Sequence, residues 1–228
     1  MHSNVEALEA VLDAMPKVDR ILVLGDIVGY GPDPNAVIAR LQSIRVRAVM
    51  GNHDQAMIDP SLLDWFNPHA AAAARWTQTV LTPRSRRYLA SLPKYGRIGR
   101  HRYVHGSPRK PYIWEYILDE LQALEILLRL GDRLCFFGHT HLPRIFTAEG
   151  EQVPSTGEWI PLPEAALVNP GSVGQPRDGN PEAAYAVVDL AVPAVRFGRV
   201  PYDLVATQAK IRQAGLPEVE AMRLALGQ

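Results

Sequence analysis

The sequence predicts a layered α/β fold, α and β segments stacked as an α+β arrangement within a single domain over residues 1–228, and three observations predict it. Short apolar runs alternate with segments of helical periodicity through the first 140 or so residues, which is the pattern of strands and helices packed in layers. Four of those runs stop at short polar motifs, and the stretch from 143 to 201 is rich in Val, Thr, Pro and Gly, as hairpin strands are.

Taken in order, Val5, Leu8, Val11 and Leu12 recur at helical spacing and Pro16 follows, so 3–15 is an amphipathic helix. Ile21-Leu22-Val23-Leu24 reads as a buried strand delivering Gly25-Asp26 to a loop. After the Gly29-Tyr30-Gly31-Pro32 turn, Asp33 caps a helix that has Pro34 in its first turn and runs to about Leu41. Val46 to Met50 is a second buried strand, ending at Gly51-Asn52-His53-Asp54. Residues 61–92 form a helical excursion with two cap-plus-proline starts, Asn67-Pro68 and Thr82-Pro83. A strand at 102–104 ends at His105-Gly106, a long helix is expected from about Tyr112 to Leu130, and a strand at 133–137 ends at Gly138-His139-Thr140-His141. Strand candidates at 144–148, 158–162, 165–168, 183–190 and 194–200 are expected to pair as hairpins in a second sheet, and helical segments at 203–214 and 217–226 close the chain.

Composition narrows the function classes. With 47% hydrophobic and 21% charged residues over 228 positions, the chain can bury a sizeable core. Lys plus Arg and Asp plus Glu each number 24, which argues against general nucleic-acid binding while leaving a local basic pocket open. Cys135 is the single cysteine, so an intramolecular disulfide is excluded, and its apolar neighbours mark it as a core residue rather than a reactive thiol. Apolar runs are too short to span a bilayer and no signal segment precedes them, so a cytoplasmic protein without membrane association is expected.

The chemistry lies in the motifs. Asp26, Asn52, His105, His139 and His141 offer oxygen and nitrogen donors without thiolate, a set suited to Mn, Fe, Zn or Ni, and strands ending on one sheet edge would gather them. Taken alone, Gly-Asp is an ordinary turn, and Asn-His-Asp an ordinary helix cap. His69 and His101 are assigned surface or packing roles.

In this order the motifs resemble the calcineurin-like metallophosphoesterase superfamily, whose pattern is Asp-x-His, Gly-Asp, Gly-Asn-His-Asp/Glu, a His before Gly, and Gly-His-x-His; the last four are complete here. The resemblance covers essentially the whole chain. It implies a metallophosphoesterase β-sandwich flanked by helices and two divalent ions bridged by Asp26, with Asn52, His105 and His139 completing one site and His2 and His141 belonging to the other. It further implies that His53 contacts the scissile phosphate or protonates the leaving oxygen and that Asp54 orients His53. The pattern's first aspartate, and the strand carrying it, would precede Met1. The sandwich is therefore expected to lack its first β-strand and to present an open edge, and the His2/His141 ion to be weakly held, the more so because His2 lies at a mobile terminus. Met1 is read as an internal methionine chosen as the start, the alternative being a genuinely shortened protein.

Gly25 to Pro32, His105-Gly106-Ser107-Pro108-Arg109 and the Asn169 to Asp178 segment resemble the bacterial and archaeal branch grouped with diadenosine tetraphosphatase-like enzymes. Protein serine/threonine phosphatases carry an arginine just after Gly-Asp; Val28-Gly29-Tyr30 stands here instead and argues against a phosphoprotein substrate. Arg109 and Arg177, in Gly/Pro/Ser-rich loops, are candidate substrate-binding residues for phosphate oxygens, with solvated loop arginines as the alternative. Tyr112, Trp114, Tyr116 and Trp65-Phe66 are read as helix packing, with stacking on a nucleobase as the alternative. The implied activity is metal-dependent hydrolysis of a phosphomonoester, phosphodiester or nucleotide polyphosphate by a metal-activated hydroxide. The alternative is a catalytically impaired metal-binding scaffold or interaction protein, and homo-oligomer formation is left open.

Overall fold

The computed structural model describes residues 1–131 and 133–228. In chain order the elements are α1 (Val5–Ala14), β1 (Leu22–Val23), α2 (Pro34–Ser43), β2 (Arg47–Ala48), α3 (Asn52–Ala56), a 3₁₀ turn (Pro60–Trp65), α4 (Pro68–Val80), α5 (Pro83–Ala90), β3 (Tyr95–Ile98) and β4 (His101–Val104). They continue with α6 (Glu120–Leu130), β5 (Leu134–Phe136), β6 (Pro143–Thr147), β7 (Gly150–Gln152), β8 (Trp159–Pro161), β9 (Ala166–Pro170), β10 (Ala183–Asp189), β11 (Ala194–Val200), α7 (Leu204–Gln213) and α8 (Glu218–Leu226).

Helix starts follow their caps. Asn4 Oδ1 accepts the Ala7 amide at 3.0 Å, Asn67 Oδ1 accepts Ala70 at 2.9 Å, and Thr82 Oγ1 accepts Ser85 at 3.1 Å. Each such cap contributes about 1 kcal/mol. The helix expected from Tyr112 starts instead at Glu120, because Asp119 Oδ1 accepts the Gln122 amide at 2.8 Å and sets the first turn there. Residues 112–118 are loop, tied back by Ser107 N–H to Glu115 O at 2.9 Å, with Trp114 at φ 55°.

The six-stranded sheet runs β3-β4-β5-β9-β6-β7, with β4, β5 and β9 parallel and the outer pairs antiparallel. The antiparallel sheet β10-β11-β8 packs on it through Tyr103, Leu134, Phe136, Ile145 and Val168 against Val195 and Phe197. α6 covers the other face of the large sheet, where Ile126 and Leu127 meet Phe137 and Phe146. This is the expected sandwich flanked by helices, but β6 and β9, expected in the second sheet, join the first, where β7, a strand not anticipated, extends them. The reason is the parallel pairing of β9 with β5, which draws β6 and β7 after it.

β1 and β2 form a separate parallel pair, so the four motif-bearing strands do not share one hydrogen-bonded sheet as expected. The side of β1 away from β2 and the outer edge of β10 border a groove of about 660 Å³, lined by Leu22, Leu24, Phe136, Val168, Ala186 and Val188 among others. No described helix is long and apolar enough to cross a membrane. Cys135 is fully buried and burial pushes its thiol up to about 12, in keeping with a core role.

Candidate metal centre

Four chain segments meet at the ends of β1, β2, β4 and β5, joined by side-chain and backbone hydrogen bonds rather than through one ladder. His105 Nδ1 donates to Leu24 O at 2.6 Å, and Gly138 N–H donates to His105 O at 2.8 Å. Asp26 Oδ1 accepts the His53 amide at 3.0 Å, which ties the Gly25-Asp26 loop to the start of α3. At Gly51 the approach is so close that a Cβ would lie 2.1 Å from Asp26 Oδ1. Among the described residues, eight non-glycines have positive φ, and His2, Ser3, Asp26, Tyr30, Trp114, His139 and His141 are seven of them. Backbone strain is thus concentrated where the side chains converge, and it persists because the surrounding contacts over-determine those turns.

Two ligand groups share Asp26. His2, Asp26 and His141 can each place one donor atom within 4.8 Å of the others, and so can Asp26, His105 and His139. Asp26 Oδ2 lies 3.2 Å from His105 Nε2 and 3.6 Å from His2 Nε2. Asn52 Oδ1 is 3.2 Å from His105 Nε2 and so adjoins the second group. All six sequence-predicted ligands are therefore brought together. His2 is 2% exposed and anchored by its amide to Asp26 O at 2.9 Å, which corrects the expectation of a mobile terminus.

The imidazole tautomers show what the cluster is built for. A carbonyl can only accept, so His2 Nδ1 donates to Val28 O at 3.2 Å, His141 Nδ1 to Gln175 O at 2.6 Å and His105 Nδ1 to Leu24 O. In the neutral rings the inward nitrogens of His2, His105 and His141 then carry lone pairs: His2 Nε2 faces His141 Nε2 at 3.0 Å, and His105 Nε2 lies 3.0 Å from His139 Nδ1. Facing lone pairs beside a buried carboxylate fit a divalent cation, with the outer hydrogen bonds orienting these three rings. Burial pushes His139 down to about 3, and it also pushes His2 and His141 well down, so these rings are neutral and ready to ligate at pH 7. Burial would raise Asp26, but the neighbouring His105, by charge and by hydrogen bond, leads the contacts that outweigh it and hold the carboxyl well below its usual range. Burial would lower His105, but the adjacent Asp26, by charge and by hydrogen bond, outweighs it and the net shift is upward, so metal and proton compete for this ring.

The remaining candidates separate. His53 is buried with Nδ1 unpartnered, its ring packed against Tyr30, His2 and Phe66, and burial lowers it to about 4. Asp54 does not orient it. The Asp54 carboxylate instead accepts Ile27 N–H at 2.9 Å, Val28 N–H at 3.1 Å and Gly51 N–H at 2.9 Å, bracing both loops. Arg177 reaches the cluster, donating to Tyr30 Oη at 3.2 Å and Gln175 Oε1 at 2.9 Å. Arg109 is not available as a phosphate ligand: its guanidinium binds Glu115 at 2.6 and 3.2 Å and Glu125 at 2.6 Å. Tyr116, expected in helix packing, stacks on His139 at 3.8 Å between centroids. The pattern reading missed Gln175, which holds His141, and Asn169, whose Nδ2 donates to Gly138 O at 2.8 Å and Thr140 Oγ1 at 3.0 Å. Their only sequence signal was membership of the 169–178 segment. His101 has a packing role, accepting the Leu134 amide at 3.0 Å.

Comparison with known proteins shows the family. Residues 1–192 match the Calcineurin-like phosphoesterase superfamily domain. The uncharacterized protein MJ0912 of Methanocaldococcus jannaschii is 36% identical over all of this chain and 95% of its own length. Phosphodiesterase YfcE of Escherichia coli is 30% identical over 86% of both chains. The crystal structure of a metallophosphoesterase from Sphaerobacter thermophilus aligns with a TM-score of 0.87 at 43% identity, covering 100% of this chain and 96% of that one. With its matched fold and its cluster of histidines around Asp26, the chain belongs to the calcineurin-like phosphoesterase superfamily.

Proposed function

We propose that this phosphoesterase is a metal-dependent hydrolase of small phosphoesters, with phosphodiesters and nucleotide polyphosphates as its favoured substrates. The observation that carries the reading is the inward convergence on Asp26 of four imidazoles, three of them oriented by backbone carbonyls. Bound divalent ions of the Mn, Fe, Zn or Ni kind would supply a Lewis-acid clamp and a hydroxide available at neutral pH. Asp26, Asn52, His105 and His139 would hold one ion, and Asp26, His2 and His141 the other, which has one fewer donor in the chain and is the weaker site.

The protein's own groups do the rest. Buried and neutral at pH 7, His53 serves as a hydrogen-bond donor to a phosphate oxygen, and an arriving phosphate's negative charge raises its pKa toward the range where it protonates the leaving oxygen. Arg177 supplies a fixed positive charge beside Tyr30 for a non-bridging oxygen. Tyr116, half-exposed and stacked on His139, offers a face to an aromatic leaving group. We infer a cytoplasmic location, with which a single cysteine that can form no intramolecular disulfide is compatible.

The test is turnover by metal-loaded protein of bis-p-nitrophenyl phosphate, p-nitrophenyl phosphate and diadenosine polyphosphates. Hydrolysis that His53→Ala reduces supports the reading. Absence of turnover on all three, with metal demonstrably bound, would replace it with a metal-binding scaffold.

A further inference from the structure

The C-terminal helix contributes a buried carboxylate that the proposed chemistry leaves unused. Glu220 on α8 is 1% exposed; its Oε2 accepts the Gln175 Nε2–H at 3.0 Å, while Oε1 is buried with no partner. Gln175 is a three-way junction: its backbone carbonyl holds His141, its side-chain Oε1 accepts Arg177, and its Nε2 is held by Glu220. A primary amide whose Nε2 is anchored can aim its Oε1 in only one direction. Here that direction is the guanidinium of Arg177. Arg177 has few other restraints, since its second contact is Tyr30 Oη and its Nε is buried without a partner. Glu220 also lines a cavity of about 10 Å³ with His2, Tyr30, Gly174 and Gln175, so α8 closes directly over this side of the centre.

We propose that Glu220 is a positioning residue, acting through Gln175 to aim Arg177 at the phosphate. The chain of contacts Glu220, Gln175, Arg177 crosses from the last helix to the centre without using a metal ligand's side chain. Its position on the final helix makes α8 part of the phosphate-binding apparatus rather than only a cover over α4, which it meets through Ala221 and Leu224. The inference rests on the reading that the centre takes a phosphoryl group, so its test reads phosphate binding separately from turnover.

The experiment is calorimetric titration of metal-loaded full-length protein with inorganic phosphate, with bound metal and melting temperature measured on every variant. Arg177→Ala is expected to weaken phosphate roughly tenfold to a hundredfold, as loss of a charge-assisted contact does. Glu220→Leu, which keeps the buried volume, is expected to weaken it about fivefold, the scale of one hydrogen bond, at unchanged metal content. Glu220→Gln retains an acceptor for Gln175 and is expected to restore affinity. In the Arg177→Ala background, Glu220→Leu is expected to add nothing, because the two residues act on one contact. Should Glu220→Leu fail to fold, Gln175→Leu cuts the same link from the other end and carries the same expectation. Additive effects of the Glu220 and Arg177 changes, or undiminished affinity in the folded variant, would overturn the proposal, as would wild-type protein that binds no phosphate. Wild-type protein that binds phosphate but hydrolyses no ester would overturn the proposed function and leave this inference supported.

Discussion

Replacing Gly51 by alanine should empty the metal centre while leaving the fold in place. Gly51 has φ of −94°, which alanine adopts freely, so the consequence is steric alone. The added Cβ would lie 2.1 Å from Asp26 Oδ1 and 2.4 Å from the Asp26 backbone nitrogen, whereas real Cβ contacts essentially never come under 3.0 Å. The carboxylate must then retreat by about 0.9 Å, the difference between 3.0 and 2.1 Å. Metal-ligand bonds tolerate only about 0.2 Å, and Asp26 belongs to both ligand groups, so both positions lose their shared donor. The stability cost of overpacking is about 1–3 kcal/mol, within the reserve of a domain this size. Gly138→Ala is the matched control: it lies in the Gly-His-Thr-His motif, yet its Cβ would meet nothing closer than Leu24 O at 3.4 Å, an ordinary contact. The assay is metal content after dialysis by elemental analysis, with circular dichroism and melting curves for folding. Folded Gly51→Ala protein with wild-type metal content, or loss of metal in Gly138→Ala equal to that in Gly51→Ala, would refute the steric argument.

Further predictions concern the two sites, pH and the arginines. Elemental analysis of the wild-type protein should find about one tightly held ion; His139→Ala should abolish it and His141→Ala should keep it, and a wild-type stoichiometry near two would contradict the ranking of the sites. Without metal, thermal stability should fall as pH drops from about 6.5 toward 4. His53 and His139 are neutral when folded, at about 4 and 3, but protonate in the unfolded chain from about 6.5 downward, each removing about 1.4 kcal/mol per pH unit. Asp54, raised to about 7 by burial and by Asp26, works in the opposite direction over the same window and offsets about one of them. The net slope is about 1.4 kcal/mol per unit before His2 and His141, which add to it, and Glu220, whose carboxyl burial raises and which opposes it; melting curves that do not shift between pH 6.5 and 4.5 would show that these rings are not buried neutral. Arg109→Ala should leave kcat and KM unchanged, since its guanidinium is engaged by Glu115 and Glu125; a raised KM would restore it as a phosphate ligand.

Helices were legible from a periodic apolar face, as at Val5 to Leu12, or from a cap followed by proline, as at Asn67 and Thr82. The start of α6 was not, because apolar and aromatic residues fill Tyr112 to Leu118 apart from Glu115, and the decisive signal was one capping side chain, Asp119. β3 and β7 escaped notice because they are short edge strands with little burial, and nothing in Tyr95-Gly96-Arg97-Ile98 or Gly150-Glu151-Gln152 alternates cleanly. The sharing of strands between the two sheets depended on the parallel pairing of β9 with β5, a contact between segments about thirty residues apart.

At the centre, the division is between which groups take part and what each one holds. Residue type and order identified the six ligand candidates and His53, because donor chemistry is a property of side chains and the motifs bound them to strand ends. Partnership is a property of three-dimensional approach, and there the fold made the assignments: Asp54 went to backbone amides, Arg109 to two glutamates, and Arg177 to Tyr30 and Gln175. Glu220 and Gln175 sit 45 positions apart, with no motif joining them. Only the packing of α8 against the loop after β9 brings that carboxylate to the junction that holds His141 and Arg177.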